Sequence, residues 1–266
     1  MNIPEQAYQV FKGKTQTFVL MLHGLGLNKT AFSGTAAVLK EKNISFINID
    51  LPGHGYAFDI RIENYSGFSD YIGQILDIEN INRVVVMGYS IGGMVGLYLS
   101  KQWPERVKGL ITIASPYEIT TRTVRPLFIA LGFPFCVLIN TVVRLFAKTN
   151  PAVDFSKPSI MNNDLAMLWW SSIATSGKGA NMAMKAIGSK SLLSCLEHMQ
   201  CSYLMVAPKR DQFFSQKCYN LMIKLSGGQS LTVEGNHNII PILWSITEAI
   251  LTDYPEFRNL LQVDAS

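Results

Sequence analysis

The segment that most constrains this chain is Gly88-Tyr89-Ser90-Ile91-Gly92-Gly93, read together with what flanks it. Residues 83–88 (RVVVMG) are a short, mostly apolar run, the pattern of a strand buried on both faces. Residues 91–102 are small and apolar and read as a helix. A serine at the apex of a sharp strand-to-helix turn must take up a strained backbone conformation. Its neighbours two positions away must be small, or their Cβ atoms collide with the strand and the helix. Gly88 and Gly92 meet that condition. Such a turn lifts the Ser90 hydroxyl above the sheet. It also leaves the Ile91 N–H at a helix N-terminus, where developing negative charge is stabilised.

The rest of the chain supplies the sheet that such a turn needs. Strand-like runs occur at residues 17–22 (TFVLML), 45–50 (SFINID), 107–114, 202–207 (SYLMVA) and 230–233. Helical patterns lie between them at residues 31–42, 66–78, 216–225 and 241–251, and Ser66 is placed to cap the second. Strand–helix alternation of this kind implies βαβ units with right-handed crossovers. The fold class is therefore α/β, a mostly parallel doubly wound sheet flanked by helices. Residues 115–196 break the pattern. They contain no clear strand, are punctuated by Pro126, Pro134, Pro151 and Pro158, and read as a helical lid inserted between two strands. The expected organisation is a core of residues 1–115 and 197–266 with a lid at 116–196.

A serine hydroxyl is a weak nucleophile and requires a base oriented by an acid. The chain has four histidines, His23, His54, His198 and His237. Of these, His237 follows the last strand on a late loop at the sheet's C-terminal edge, within reach of Ser90. Asp211 follows the strand at 202–207 on the same edge. The catalytic order is then Ser90, Asp211, His237. Asp253 and Asp154 are the alternative acids, the first lying after the base and the second in the lid.

Four motifs, His23-Gly24-Leu25-Gly26, Asp50-Leu51-Pro52-Gly53-His54-Gly55, Gly88-Tyr89-Ser90-Ile91-Gly92-Gly93 and the Asp211–His237 pair, resemble the α/β-hydrolase family, and in particular its lid-bearing esterase and lipase-like members. The resemblance spans about residues 17–251. It implies a serine hydrolase acting by acyl transfer, with no metal and no organic cofactor. It also implies that the Leu25 and Ile91 backbone N–H groups form an oxyanion hole, and that His23 and His54 are structural. The chain departs from the family pattern at Pro208, where members often carry glycine three residues before the acid, and at Asn236, where the loop often reads Gly-x-Gly-His. Serine rather than aspartate at position 90 points away from the alkyl-enzyme chemistry of the family's dehalogenases and epoxide hydrolases.

Composition bears on the substrate and partners. Only 16% of residues are charged, below the ~25% typical of soluble domains, and the mean hydropathy is +0.19. The lid carries Phe128, Phe133, Trp169 and Trp170 among many aliphatic residues. Most of these are expected to glue lid to core, and those four are the candidate substrate-binding residues. The expected substrate is a small, lipid-like ester with a lipophilic acyl group. Peripheral membrane contact through the lid is the further partner that this composition allows. Two other readings stand beside it: a hydrolase of the same fold cleaving a carbon–carbon bond, a thioester or a lactone, and a non-catalytic binding protein on the same scaffold. The 23 basic residues form no dense run, so nucleic-acid binding is not expected. The uncharged run 126–143 approaches the ~17–25 residues of a spanning helix, but Gly132, Pro134 and Asn140 interrupt it. Residues 1–14 contain no apolar signal region, and four cysteines without a C-x-x-C pair read as reduced thiols, so a cytoplasmic location is expected.

Overall fold

The computed structural model describes residues 1–119 and 177–262. Seven strands form one sheet in the order β1-β3-β2-β4-β5-β6-β7. They are β1 (Tyr8–Phe11), β2 (Phe18–Leu22), β3 (Phe46–Ile49), β4 (Val84–Tyr89), β5 (Val107–Ile113), β6 (Ser202–Pro208) and β7 (Gln229–Val233). All neighbouring pairs are parallel except β1 with β3, where Tyr8 lies opposite Ile49.

Successive side chains of a strand point to opposite faces, and the strands divide accordingly between two buried cores. Leu20, Leu22, Ile47, Ile49, Val84 and Val86 join the core on one face, beneath α2 (Tyr65–Ile78), α3 (Ile91–Gln102), α4 (Gly177–Ile187), α5 (Leu193–Leu196) and α6 (Gln216–Ser226). Val19, Met21, Val85 and Met87 join the core on the other, beneath α1 (Ser33–Glu41), α7 (Leu243–Asp253) and α8 (Pro255–Leu260). Burial of β2 to β6 on both faces explains why those strands read as continuous apolar runs. The edge strand β7 is partly exposed, with Gln229, Ser230 and Thr232 facing solvent.

Local chemistry sets the helix ends. The α2 cap is Asn64, whose side chain accepts the Gly67 N–H. This corrects the expected Ser66 cap: the cap lies two residues earlier, and the Ser66 hydroxyl instead donates to the Asn64 side chain. Ser215 caps α6 by accepting the Cys218 N–H, and Gly227 closes it with φ of 67°. Two further expected helices are slightly displaced. The helix expected at 31–42 is a short 3-10 turn, Lys29–Phe32, leading into α1. The one expected at 241–251 is a 3-10 turn, Ile240–Ile242, leading into α7. Strand β1 and helix α8 go beyond the sequence reading.

Most of the expected lid, and with it Phe128, Phe133, Trp169, Trp170, Asp154 and the run 126–143, lies outside the described residues. Of the segment between β5 and β6, α4 and α5 are described, and both pack on the core through Ala183, Ala186, Ile187, Cys195 and Leu196. Among the described residues no helix is long and apolar enough to cross a membrane.

Candidate active site

Ser90 sits where β4 ends and α3 begins, with φ of 52° and ψ of −117°. That is a left-handed conformation that costs a non-glycine residue of the order of 1–3 kcal/mol, and its neighbours hold it there. The Ser90 N–H donates to the Ile113 carbonyl at 2.8 Å. A Cβ at Gly92 would lie 2.0 Å from the Leu22 carbonyl oxygen, and one at Gly88 would lie 2.4 Å from the Gly92 backbone. The two small positions inferred from the sequence are thus places where backbone packs on backbone.

Two loops converge on this serine. His237, on the loop between β7 and α7, places its Nε2 3.2 Å from Ser90 Oγ. Asp211, on the loop after β6, places Oδ2 2.9 Å from His237 Nδ1. With the carboxylate ionised, Nδ1–H donates to Asp211 and Nε2 is left as the acceptor for the Ser90 hydroxyl. The expected acid and base therefore meet the serine in the expected order, across sequence separations of 26 and 147 residues. Asp253 closes α7, and the acid that reaches His237 is Asp211.

The Asp211 side chain has no solvent exposure. In place of water its Oδ1 accepts the N–H groups of Phe213 and Phe214 at 2.8 and 3.0 Å, and its Oδ2 accepts the Tyr219 hydroxyl at 2.6 Å as well as His237. Burial pushes this carboxyl up, but hydrogen bonds from His237, Tyr219 and the Phe213 N–H outweigh it. The net result is a carboxyl held below the usual carboxylate range.

The imidazole is fixed through its backbone too. Gln212 Oε1 accepts the His237 N–H at 3.0 Å, and the Tyr89 hydroxyl donates to the His237 carbonyl at 2.8 Å. The rings of Phe213 and Phe214 stand edge-on to it, with centroids 4.9 and 5.4 Å away. The roles of Tyr89, Gln212 and Tyr219 escaped the sequence reading. Tyr89 occupies the variable position of a G-x-S-x-G motif, and nothing in a sequence shows that a carbonyl 148 residues away will need its hydroxyl.

The segments expected to carry the oxyanion donors flank Ser90. Ile91 is the first residue of α3, so its N–H has no acceptor within the helix. A Cβ at Gly24 would meet the Tyr89 ring at 2.8 Å and Ser90 Cβ at 3.3 Å, which puts the turn carrying Leu25 directly against the nucleophile. His23 and His54 hold that turn. His23 accepts the Leu51 N–H on Nε2 at 2.9 Å and bonds the Gly24 carbonyl through Nδ1 at 2.8 Å. His54 accepts the Gly26 N–H on Nε2 at 3.2 Å and bonds the Pro52 carbonyl through Nδ1 at 3.0 Å. Each ring is therefore a neutral Nδ1–H tautomer. Burial lowers their pKa values to about 4 for His23 and about 3 for His54. Asp50 braces the same region: its carboxylate, wholly buried, pairs with Lys29 Nζ at 2.9 Å and accepts the N–H groups of Lys29 and Tyr56.

A family model described as the alpha/beta hydrolase fold matches residues 17–131, the stretch that carries the Leu25 turn, the Asp50 loop and Ser90. The chain has the α/β-hydrolase fold. Over 103 residues the chain is 34% identical to a pimeloyl-[acyl-carrier protein] methyl ester esterase of Shewanella woodyi, covering 39% of this chain and 37% of the relative. It is 29% identical over 103 residues to a putative esterase/lipase 2 of Mycoplasma genitalium, covering 38% of each chain. It thus matches little more than a third of the length of either curated relative. Among solved structures, the enol-lactonase from Burkholderia xenovorans LB400 superposes with a TM-score of 0.73 at 16% identity, covering 92% of this chain and 94% of that one.

A cavity of about 390 Å³ lies beside the His237 loop, lined by Arg210, Glu234, Asn236, Ile239 and Ile242 among others. Neither Ser90 nor His237 lines it, so it is not the space in which a substrate would meet the serine.

Proposed function

We propose that this α/β-hydrolase cleaves carboxylic esters through an acyl-enzyme on Ser90. The observation that carries the reading is the unbroken hydrogen-bonded chain from Ser90 Oγ to His237 Nε2 and from His237 Nδ1 to Asp211, set beside a strained serine at a helix N-terminus. Ser90 Oγ attacks the substrate carbonyl carbon while His237 Nε2 takes its proton. The oxyanion that forms is held by the Leu25 and Ile91 N–H groups, and one such donor is worth ~2.7–4 kcal/mol of barrier. The intermediate collapses, and the leaving alcohol departs with the proton from His237. Water then attacks the acyl-enzyme, with His237 as base, and frees Ser90. Asp211 fixes the imidazole tautomer and stabilises the imidazolium in both halves.

The acyl group preferred is lipophilic. The Phe213 ring, 39% exposed and edge-on to His237, gives the site an apolar flank. The sequence of residues 116–196, rich in Leu, Ile, Phe and Trp, has the composition of an acyl-binding cover that also rests on lipid surfaces. The relatives bearing esterase names support ester cleavage as the reaction.

The test is a chain-length panel of p-nitrophenyl esters. The reading expects kcat/KM to rise from acetate to medium-chain esters. A steady fall with chain length refutes the lipophilic preference, and hydrolysis of thioesters or lactones but no simple ester moves the activity to another bond.

A further inference from the structure

The Asp211 carboxylate is shared. Its Oδ2 receives two donors from different elements, His237 Nδ1–H at 2.9 Å from the loop after β7 and the Tyr219 hydroxyl at 2.6 Å from α6. Its Oδ1 is taken up by the N–H groups of Phe213 and Phe214. The Tyr219 bond lies within the 2.5–2.7 Å range of charge-assisted O–H···O⁻ hydrogen bonds. Tyr219 is fully buried. Burial first, then the neighbouring Asp211 charge, push its hydroxyl well above the usual tyrosine range, so it remains a neutral donor at every working pH.

We infer that Tyr219 is a positioning residue that sets the working pH of the base: by donating to the oxygen that also receives His237 Nδ1–H, it draws charge off that oxygen and leaves the imidazole less basic than an undivided carboxylate would make it. The inference rests on the triad reading of Ser90, His237 and Asp211. A hydrogen bond to the charged form of a carboxylate favours that form and disperses its charge, and around a carboxylate with no solvent exposure the dispersal is not masked by water.

The other titratable groups facing this pair do not replace Tyr219. From β4, Tyr89 spends its hydroxyl on the His237 carbonyl rather than on the carboxylate. From α6, Cys218 feels the Asp211 charge, but burial raises its thiol, which stays neutral. Among the described residues the ion pair of Asp211 is with His237, and no lysine or arginine joins it.

The test follows the rate at which a fluorophosphonate labels Ser90 across pH, which needs no knowledge of the natural substrate. In Tyr219→Phe the acidic limb of this profile moves up by about 0.5–1 pH unit, the scale on which a single hydrogen bond shifts a neighbouring titration. Incorporation of 3-fluorotyrosine at position 219, a stronger donor of nearly the same shape, moves the limb down. This second arm also serves if Tyr219→Phe folds poorly by far-UV circular dichroism. Tyr203→Phe removes another buried hydroxyl, one bonded to Thr112 at 2.8 Å, and leaves the limb where it was. The low-field proton resonance of His237 Nδ1–H shifts in opposite directions in the two Tyr219 variants. An acidic limb unmoved in both, or moved equally by Tyr203→Phe, overturns the role of Tyr219 while leaving the triad intact. Absence of Ser90 labelling in the unmodified protein at every pH removes the triad reading and this inference together.

Discussion

His54 Nε2 accepts the Gly26 N–H at 3.2 Å, tying the loop after β3 to the turn that carries Leu25. His23 makes the reciprocal tie to Leu51, and the two imidazoles meet edge to face with centroids 5.1 Å apart. Two neutral histidines thus brace one of the two proposed oxyanion donors without touching the reacting atoms, and this bracing gives stability a pH dependence with a definite sign.

Burial depresses His23 and His54 from the ordinary value of 6.5 to about 4 and about 3. The unfolded chain therefore takes up protons near pH 6.5 that the folded chain refuses. Their contribution is complete above that pH and is lost progressively as pH falls toward about 4 and below. Urea unfolding at a series of pH values is expected to show stability falling from about pH 6.5 downward. His54→Gln, which keeps an acceptor for Gly26 but cannot titrate, flattens that slope. Equal slopes in the two proteins refute the assignment of His54 as a buried neutral group.

The strained serine makes a second prediction. Ser90→Ala keeps the fold and abolishes turnover. Ser90→Gly also abolishes turnover but relieves the positive φ. Strain of the order of 1–3 kcal/mol is released, against ~0.5–1 kcal/mol of added glycine entropy. Ser90→Gly is therefore expected to be more stable than Ser90→Ala by about 1 kcal/mol in urea. Equal midpoints mean that position 90 stores no strain.

Among the described glycines, Gly92 is the one at which an added methyl group would make the shortest contact. Its Cβ would meet the Leu22 carbonyl oxygen at 2.0 Å, a backbone atom in the central sheet that cannot swing aside. Gly92→Ala is expected to destabilise at or above the upper end of the ~1–3 kcal/mol cost of overpacking. It should also remove activity by shifting Ser90. Gly227→Ala meets no atom within 4 Å, so it reports only the cost of its left-handed φ and gives the comparison in the same urea assay.

How far this was legible in the sequence follows from the range of each interaction. Gly88, Ser90 and Gly92 were readable because a tight turn imposes its own residue types locally. Strands β2 to β6 were readable because burial on both faces forces apolar runs. Asp211 was readable from its place after a strand, in spite of Pro208, which ends β6 without displacing the acid from His237. Strand β1 was not: Tyr8–Phe11 is a short edge strand whose antiparallel pairing with β3 depends on a partner far along the chain. Nor were Tyr89, Gln212 and Tyr219, whose hydrogen bonds exist only once a strand end, a helix and the loops after β6 and β7 have met.

Asp211→Asn separates orientation from folding. An amide in that place offers His237 a donor where it needs an acceptor, so the wrong imidazole tautomer is favoured. Rates with a p-nitrophenyl ester are expected to fall by about 10⁴-fold, as for loss of the acid in a Ser-His-Asp triad. Asp253→Asn, by contrast, leaves them unchanged. A loss in Asp253→Asn equal to that in Asp211→Asn contradicts the choice of acid.

The most direct measurement is mass spectrometry of the covalent adduct after brief exposure to a fluorophosphonate. The account predicts one adduct, on the peptide carrying Ser90, abolished in Ser90→Ala and slowed at least 10³-fold in His237→Ala, in line with loss of a triad member. An adduct on another residue, or undiminished labelling of Ser90 without the His237 imidazole, contradicts it.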